Sequence, residues 1–351
     1  MEESFAFIIH PRDASDASRK YFWMRLLPSF LINLICRYTP PLIASEISGL
    51  KSYNSGEVIK GWLLICPLTA RQLIGDREEG KKRVKATIAL GEKLGARIVG
   101  IGAITSSITS GGKDLTENLE IGITHGRTLT AGMTIDGVKK IAKIKGLNLN
   151  EATVAIVGAT GVIGKAVSKL LINEGVREFI LIAKTENLKY LVQLKEEMKG
   201  LNPSLLIETS THIHSVKNSE LVIVTTSSPE IILNLENLKY GALVYDVTQP
   251  QNISSLKVQD RKDLLIIDGG IVNTPGINYH FNLGLPPETT FACMAETMLL
   301  AAEGKYSSCL VGDVQLEKVN EMMELAKKYN FTHAPFSSFG KLLPPSLESS
   351  F

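Results

Sequence analysis

The chain has 351 residues, 44% of them hydrophobic and 21% charged, which is typical of a globular protein with a sizeable core and about two domains. Its net charge of +2 provides no overall attraction to nucleic acid or to an anionic membrane, so a nucleic-acid partner is not expected. The cysteines lack Cys-x-x-Cys spacing, which predicts no metal site and no disulfide framework and favours a reducing, cytoplasmic location. The first residues include acids and no long apolar core, so no signal peptide is predicted.

The most apolar part of the chain is the stretch from Tyr21 to Ala44, which follows a short apolar run at Phe5 to Ile9. Two arginines, a proline and an asparagine interrupt the stretch, so a transmembrane segment is not predicted. Two interpretations remain open. The stretch forms a buried pair of packing helices, or it forms an interfacial surface that contacts acyl chains or the periphery of a membrane.

Strand and helix patterns then alternate through residues 1–148, for which we predict an α/β domain that binds substrate. The predicted elements are strands at Leu42–Leu50 and Glu57–Cys66, a helix at Asp76–Gly95, a strand at Arg97–Ile104 and a helix at Met133–Lys145. One side of the first helix is basic, with Lys81, Lys82, Arg83 and Lys85. Such a face is ordinarily solvated, and it is also suited to an acidic carrier protein or to the phosphates of coenzyme A.

Two segments of this domain are rich in small polar side chains. The first, TSSITSGG from Thr105 to Gly112, follows a predicted strand and forms either the wall of a site or a flexible turn. The second, THGRTLTA from Thr124 to Ala131, precedes a predicted helix. The candidate substrate contacts in them are Thr105, Ser106, His125, Thr128 and Thr130. The alternative is that these are ordinary helix-start and loop residues.

The clearest motif is TVAIVGATGVIGKAVSKLL, from Thr153 to Leu171. Its β-branched run predicts a buried strand, its glycines a sharp turn and its later apolar spacing a helix. This is the opening unit of a dinucleotide-binding fold, in which the backbone of the turn approaches a pyrophosphate at the positive end of the helix. The predicted cofactor contacts here are Gly158, Ala159, Thr160, Gly161, Val162, Ile163 and Gly164.

Further strand-like runs support a Rossmann-type doubly wound parallel sheet over residues 149–288. They lie at Glu178–Ala183, Leu221–Val224, Ala242–Val247 and Leu264–Ile267. The second strand is followed by Lys184 and Thr185, a cation and a hydroxyl that suit a 2′-phosphate, so we predict NADPH as the cofactor. Glu186 is the competing observation, because an acid in that position favours NADH.

A helix is predicted from Thr289 or Thr290 to Glu303, and another from Val314 to Tyr329. We expect the helices of residues 289–330 to pack back on the first domain. Cys293 would lie in the first turn of its helix, where the dipole and free N–H groups favour a nucleophilic thiolate; otherwise it is a small core residue. The Pro- and Ser-rich tail, residues 333–351, is predicted to be disordered.

The chain up to about residue 330 resembles the long-chain fatty acyl-[acyl-carrier-protein] reductases of cyanobacteria. The resemblance rests on TVAIVGATGVIG, FACMAETMLLAAEG, PPLIASEI, GEVIKGW and GIGAITSSI. It implies an NADPH-dependent reductase in which Cys293 accepts the acyl group as a thioester and a fatty aldehyde is released. The implied partners are an acyl-carrier protein or acyl-CoA, and an aldehyde-consuming oxygenase. The histidine of the family's T-T-G-N-T-H-T-A pattern falls at Leu129, so no acid/base histidine transfers and His125 is only a nearby substitute.

Two other functions fit the same nucleotide fold. One is an NADP-dependent dehydrogenase of hydroxy or amino acids with a shikimate-dehydrogenase-like or glutamyl-tRNA-reductase-like two-domain architecture. A dehydrogenase that acts directly on an alcohol needs an acid-base pair but no nucleophilic thiol. The other is a non-catalytic protein that binds NADPH without turnover.

Overall fold

A computed structural model describes residues 3–16, 22–115, 120–228, 232–249, 251–253, 258–307 and 310–344. Its contacts divide the chain into two compact units. Unit 1 comprises Met1–Leu129, Val272–Asp313 and Glu321–Thr332, and unit 2 comprises Thr130–Ile271, Val314–Asn320 and His333–Phe351. The first division falls after Leu129, within a helix that runs from Arg127 to Ile144, and the second falls after Ile271.

The regular elements are numbered here in chain order. The strands are β1 (Ser4–Ile9), β2 (Leu42–Ile47), β3 (Lys60–Ile65), β4 (Ile98–Ile101), β5 (Gly122–Thr124), β6 (Thr153–Val157), β7 (Glu178–Ile182), β8 (Leu206–Ser210), β9 (Leu221–Val224), β10 (Leu243–Asp246), β11 (Leu265–Asp268), β12 (Ile271–Asn273), β13 (Thr289–Phe291), β14 (Thr332–His333), β15 (Ser337–Ser338) and β16 (Lys341–Leu342). The α-helices are α1 (Ser29–Tyr38), α2 (Ala70–Gly75), α3 (Arg77–Lys93), α4 (Ala103–Ile108), α5 (Arg127–Ile144), α6 (Val162–Asn173), α7 (Leu188–Leu201), α8 (Ala292–Ala302) and α9 (Leu316–Lys328).

Unit 1 contains a five-stranded sheet in the order β2-β3-β1-β4-β5. Its strands are parallel except β2, which runs antiparallel to β3. The predicted strands around Leu42 and Lys60 are confirmed, and helix α8 packs against β1 and β4. The buried residues of one sheet face include Leu64 and Val99, which pack against Val84 and Ile88 of α3.

The segment predicted as a loop from Thr105 to Gly112 begins instead inside helix α4, which the chain enters through Ala103 at a left-handed φ of +46°. Its hydroxyls donate hydrogen bonds to carbonyls of the preceding turn. Thr105 Oγ1 donates to Gly102 O at 2.7 Å, and Thr109 Oγ1 donates to Thr105 O at 2.7 Å. The loop prediction is wrong because buried Ser and Thr side chains can bond back to the helix that carries them.

Helix α1 lies in the apolar N-terminal stretch and is only partly covered. It buries Ile32 and Cys36, whereas Phe30, Leu34 and Tyr38 are exposed by 68%, 51% and 76%. The helix is therefore not a fully buried packing helix. No α-helix within the described ranges is both long enough and apolar enough to span a bilayer.

Unit 2 contains a six-stranded, wholly parallel sheet in the order β11-β10-β9-β6-β7-β8. Starting from β6, this is the order 3-2-1-4-5-6 of a Rossmann fold, so the predicted α/β class is confirmed. The sequence analysis did not identify β8, whose residues alternate between exposed and less exposed positions instead of forming an apolar run. Helices α6 and α7 make the crossovers from β6 to β7 and from β7 to β8.

The described chain after residue 333 forms the β15–β16 hairpin. Buried Asp268, at the end of β11, holds it. The Asp268 carboxylate accepts hydrogen bonds from Ser337 Oγ at 2.7 Å, Phe339 N at 2.9 Å and Gly340 N at 2.8 Å. The prediction of disorder is therefore wrong for residues 333–344, because composition does not reveal a distant carboxylate; residues 345–351 lie outside the described residues.

Candidate functional site

The glycine turn of unit 2 lies between β6 and α6. Gly158 has a φ of +88°, which a residue with a side chain rarely adopts. A Cβ on Gly164 would lie 2.3 Å from the Gly158 carbonyl oxygen, so this position of α6 also requires glycine. Gly161 is the N-cap of α6, and no side chain caps the helix there. The N–H groups of the first turn are therefore suited to an external anion.

The turn lies at the switch point of the sheet, where β6 has β7 on one side and β9 on the other. Thr225, directly after β9, donates its hydroxyl to Val157 O at 3.1 Å. Gly158 N and Ala159 N donate to Ile182 O at 2.9 and 3.1 Å, which joins the turn to the end of β7. A crevice beyond the carboxyl ends of strands at a switch point is where open α/β sheets bind ligands.

Lys184 and Thr185 follow the end of β7 and are both exposed. Lys184 is the N-cap of a short 3-10 helix, Thr185–Asn187, and Glu186 is also exposed there. Because Val157 pairs with Ile182, the glycine turn and Lys184 both follow the carboxyl ends of neighbouring strands. The turn and these three side chains thus lie at one edge of the unit 2 sheet.

Cys293 lies in unit 1, in the first turn of α8, and packs against two glycine residues. A Cβ on Gly102 would lie 3.2 Å from Cys293 Sγ, and one on Gly126 would lie 2.2 Å from Cys293 Cβ. A Cβ on Gly100 would lie 2.0 Å from Thr297 Oγ1, one turn further along α8. The glycines of the GIGAITSSI and THGRTLTA segments therefore allow α8 to approach the ends of β4 and β5 closely.

Glu296 lies one turn after Cys293 and is fully buried. Its Oε1 accepts hydrogen bonds from Thr124 Oγ1 at 2.5 Å and Gly126 N at 3.0 Å, and its Oε2 accepts one from Leu129 N at 2.8 Å. The carboxylate thereby caps the N-terminus of α5 from a different helix. Burial raises the pKa of Glu296 to about 7, although the donors at Thr124, Leu129 and Gly126 oppose the rise.

His125 is buried beside this carboxylate, with Nδ1 4.0 Å from Glu296 Oε1. Its Nδ1 accepts a hydrogen bond from Arg127 N at 3.0 Å, which assigns the ring proton to Nε2. Nε2 has no hydrogen-bond partner among the described residues. Burial, together with the positive charge of Arg127, lowers the pKa of His125 to about 3, so the ring is neutral at physiological pH.

Two opposing effects act on the Cys293 thiol. The residue keeps partial solvent exposure, but burial of the thiol and the negative charge of Glu296 raise its pKa to about 12. The N–H groups of Met294 and Cys293 and the charge of Arg127 lower the pKa by less. The helix N-terminus thus favours the thiolate, as expected, but desolvation outweighs this effect in the free residue.

The other predicted substrate contacts are buried. Thr105 is committed to the Gly102 carbonyl, whereas Ser106 Oγ has no partner among the described residues. The backbone N–H of Thr128 bonds to Glu296, as Leu129 does. Thr130 belongs to unit 2, where its carbonyl accepts from Thr134 Oγ1 at 2.7 Å. The structure thus groups His125 and Thr128 around Glu296 but does not place Thr130 in unit 1.

The sequence analysis missed Glu296 and Arg127 as parts of the site. A signal for Glu296 was present, because a carboxylate stands alone in the apolar helix ACMAETMLLAA. Arg127 stands where the family's T-T-G-N-T-H-T-A pattern has its asparagine. Burial lowers its pKa to about 10, against the opposing charges of Asp313, Cys293 and Glu296.

Comparison with known proteins identifies the fold of unit 2. Residues 140–268 match the family model of shikimate / quinate 5-dehydrogenases. The matched segment contains the whole six-stranded sheet with its glycine turn. Unit 2 therefore has the NAD(P)-binding fold of this oxidoreductase class.

Two curated proteins are similar over most of the chain. The first is the aminotransferase PigE of a Serratia species, 30% identical over 297 residues. That match covers 82% of this chain but only 34% of PigE, so the chain spans about a third of that relative. The second is the long-chain acyl-[acyl-carrier-protein] reductase of Synechococcus elongatus, 28% identical over 310 residues that cover 83% of this chain and 87% of that one.

Among solved structures, the NAD-dependent malic enzyme of Thermotoga maritima aligns with 93% of this chain and 84% of its own, with a TM-score of 0.41 and 12% identity.

Proposed function

We propose that this protein reduces long-chain fatty acyl thioesters to fatty aldehydes with NADPH, through an acyl group carried on Cys293. The observation that carries the proposal is the packing of Cys293, at the start of α8, against the bare backbone of Gly102 and Gly126. Neither glycine places a side chain of its own against Cys293, and the Phe7 ring lies beside Gly102. The similarity to the Synechococcus reductase over 83% of this chain supports the proposal.

The residues of unit 2 fit a nicotinamide dinucleotide. Gly161 has no side chain, and a Cβ placed there would meet only carbonyl oxygens, at 3.2 Å or more, so a pyrophosphate can approach the first turn of α6. The residues that would hold the cofactor are Gly158 to Gly164, with Lys184 and Thr185 near the adenosine ribose. The cation at Lys184 favours a 2′-phosphate and hence NADPH. When bound, the nicotinamide supplies the hydride that reduces the acyl group.

Acyl transfer begins at Cys293 Sγ. The Sγ atom forms a bond to the acyl carbon, the bond from that carbon to the carrier's sulfur breaks, and the thiol proton passes to the departing carrier thiol. Phe291 is the N-cap of α8 and provides no side-chain cap, so the N–H groups of the first turn are available to the developing oxyanion. His125, neutral with its proton on Nε2, is the second candidate donor.

Reduction of the acyl group ends with cleavage of its bond to Sγ, and the aldehyde leaves. The thiolate then takes up a proton, and the raised pKa of Cys293 favours this return to the thiol. The same raised pKa keeps the thiolate fraction of the free enzyme low, which slows oxidation and alkylation of Cys293. The charge of Arg127 is the nearby feature that stabilises the transient thiolate.

We propose an acyl-carrier protein as the donor of the acyl group. The outer side of α3 carries Lys82 and Lys85, both exposed, whereas Lys81 pairs with Asp114 at 2.9 Å and Arg83 with Glu79 at 3.1 Å. Exposed cations on one helix are suited to an acidic carrier. Acyl-CoA, which also carries negative charge, remains the alternative donor.

A second candidate function is a dehydrogenase of hydroxy or amino acids, which the family match of residues 140–268 favours. The two proposals differ at Cys293, since direct oxidation of an alcohol forms no bond to sulfur. The test measures NADPH oxidation with C8 to C18 acyl thioesters, followed by mass spectrometry of the peptide containing Cys293. We expect an acyl adduct on Cys293 and none in Cys293→Ser; full aldehyde formation by Cys293→Ala would overturn the proposal.

A further inference from the structure

We propose that Glu296 is the positioning residue of this site, because its carboxylate joins helix α8 to residues 124–129 and so sets both the backbone around Cys293 and the reactivity of the thiol. The inference deepens the proposed function, and its role in acyl transfer rests on that function. The contacts of Glu296 do not depend on the proposed function, because they lie within unit 1.

The geometric part of the argument concerns Gly126. Its N–H donates to Glu296 Oε1 at 3.0 Å, while its Cα lies directly over the first turn of α8, so close that a Cβ would lie 2.3 Å from Cys293 Cα. Thr124 before it and Leu129 after it bond to the same carboxylate. The 124–129 segment is therefore fixed on both sides of Gly126 by one group that stands a single helical turn from the thiol.

A neutral amide cannot replace this carboxylate. Four donors, the Thr124 hydroxyl and the N–H groups of Gly126, Thr128 and Leu129, converge on its two oxygens. A glutamine would present an NH₂ group to at least one of them. A buried donor facing another donor costs about 1–3 kcal/mol. Because Glu296 is fully buried, water cannot replace the lost hydrogen bond.

The electrostatic part concerns the charges that face Glu296. His125 is neutral, Arg127 is the nearby cation, Asp313 opposes Arg127, and the Cys293 thiol shares the site. Burial raises the pKa of Glu296 to about 7. Below that pH the carboxyl is protonated and does not repel a thiolate; above it the charge is present and raises the pKa of Cys293.

This coupling predicts a specific pH profile for alkylation of Cys293 by iodoacetamide. The logarithm of the rate rises with pH as the thiolate fraction rises, flattens near pH 7 where Glu296 ionises, and rises again above it. In Glu296→Gln we expect the shoulder to disappear. If the thiol pKa falls by about one unit, the thiolate fraction at pH 8.5 increases tenfold, and the lower nucleophilicity reduces the gain in rate to about threefold.

The experiment compares wild type, Glu296→Gln and Glu303→Gln, with the rate at Cys293 followed by mass spectrometry from pH 6 to pH 9.5. Glu303 lies at the other end of the same helix, where it pairs with Lys328 at 2.7 Å, so its variant removes a carboxylate without touching the site. We expect Glu303→Gln to retain the wild-type profile. Folding of each variant is checked by circular dichroism.

Acyl transfer is measured in parallel by single-turnover labelling with a palmitoyl thioester. We expect Glu296→Gln to acylate at least tenfold more slowly, although its thiol alkylates faster, because the 124–129 segment is no longer held. A purely structural role would slow both reactions together. If wild type forms no acyl adduct, the proposed function fails, while the alkylation profile still tests Glu296.

Thr124→Val provides the second variant in case Glu296→Gln does not fold. It keeps the carboxylate and removes the 2.5 Å hydrogen bond, which normally lowers the pKa of Glu296. We therefore expect the shoulder to move to higher pH. An identical alkylation profile in wild type and in a folded Glu296→Gln or Thr124→Val protein would overturn the inference.

Discussion

Replacing Gly126 by alanine tests the contact that organises the site in unit 1. The new Cβ would lie 2.2 Å from Cys293 Cβ and 2.7 Å from Cys293 O, and the backbone φ is +70°. A left-handed alanine costs about 1–2 kcal/mol, and overpacking a buried contact costs about 1–3 kcal/mol more. The expected loss is about 2–5 kcal/mol, a large share of the roughly 5–15 kcal/mol that stabilises a typical protein.

Gly56→Ala is the matched control, because Gly56 has a φ of +72° and no atom within 4 Å of its Cβ position. It carries the conformational cost alone, so the difference between the two variants measures the contact with Cys293. Urea unfolding, followed by circular dichroism, provides both free energies, and labelling by an acyl thioester reports the site. If Gly126→Ala and Gly56→Ala have equal free energies of unfolding and Cys293 of Gly126→Ala is fully labelled, the packing argument is refuted.

Three further predictions address other regions. Lys184→Glu should lower the preference for NADPH over NADH by at least about tenfold, because a charged hydrogen bond contributes about 1.5–3 kcal/mol; an unchanged ratio of kcat/KM values would contradict the NADPH assignment. Asp268→Asn should destabilise the β15–β16 hairpin, and faster proteolysis of the C-terminal segment, compared with Asp260→Asn, would show it. The double variant Lys82→Glu, Lys85→Glu should raise the KM for an acyl-carrier protein several-fold but leave the KM for a neutral acyl-cysteamine thioester unchanged. Equal changes in the two KM values would exclude carrier docking on α3.

Local pattern was sufficient for elements whose physical cause lies within a few residues. The strand at Thr153–Val157 is a continuous apolar run and was predicted at its observed bounds. The helix that follows, Val162–Asn173, was predicted from the spacing of its apolar residues. The local pattern did not predict helix α4, because its Ser and Thr residues have low helix propensity in isolation. Their hydroxyls are satisfied by helix carbonyls only once the segment is buried.

The candidate site was predicted unevenly for a similar reason. Cys293 was identified from the FACMAETMLLAAEG motif, which resembles that of a known family. The effect of burial on its pKa, by contrast, depends on neighbours that are distant in the chain. Glu296 bonds to Leu129 across 167 positions, and no spacing rule connects the two. The sequence therefore indicated which residue could react but not which residue controls it.

The sequence by itself determined the glycine turn. Conformational freedom and the lack of a side chain are intrinsic to glycine, so they hold for Gly158 and Gly164 in any tertiary context. The strand runs that follow likewise predicted the parallel sheet. Only the tertiary structure decided that Gly126 lies against Cys293 and that a lone carboxylate caps α5. Burial and long-range hydrogen bonds create those properties, since an exposed Glu296 would be an ordinary acid and an exposed Cys293 an ordinary thiol.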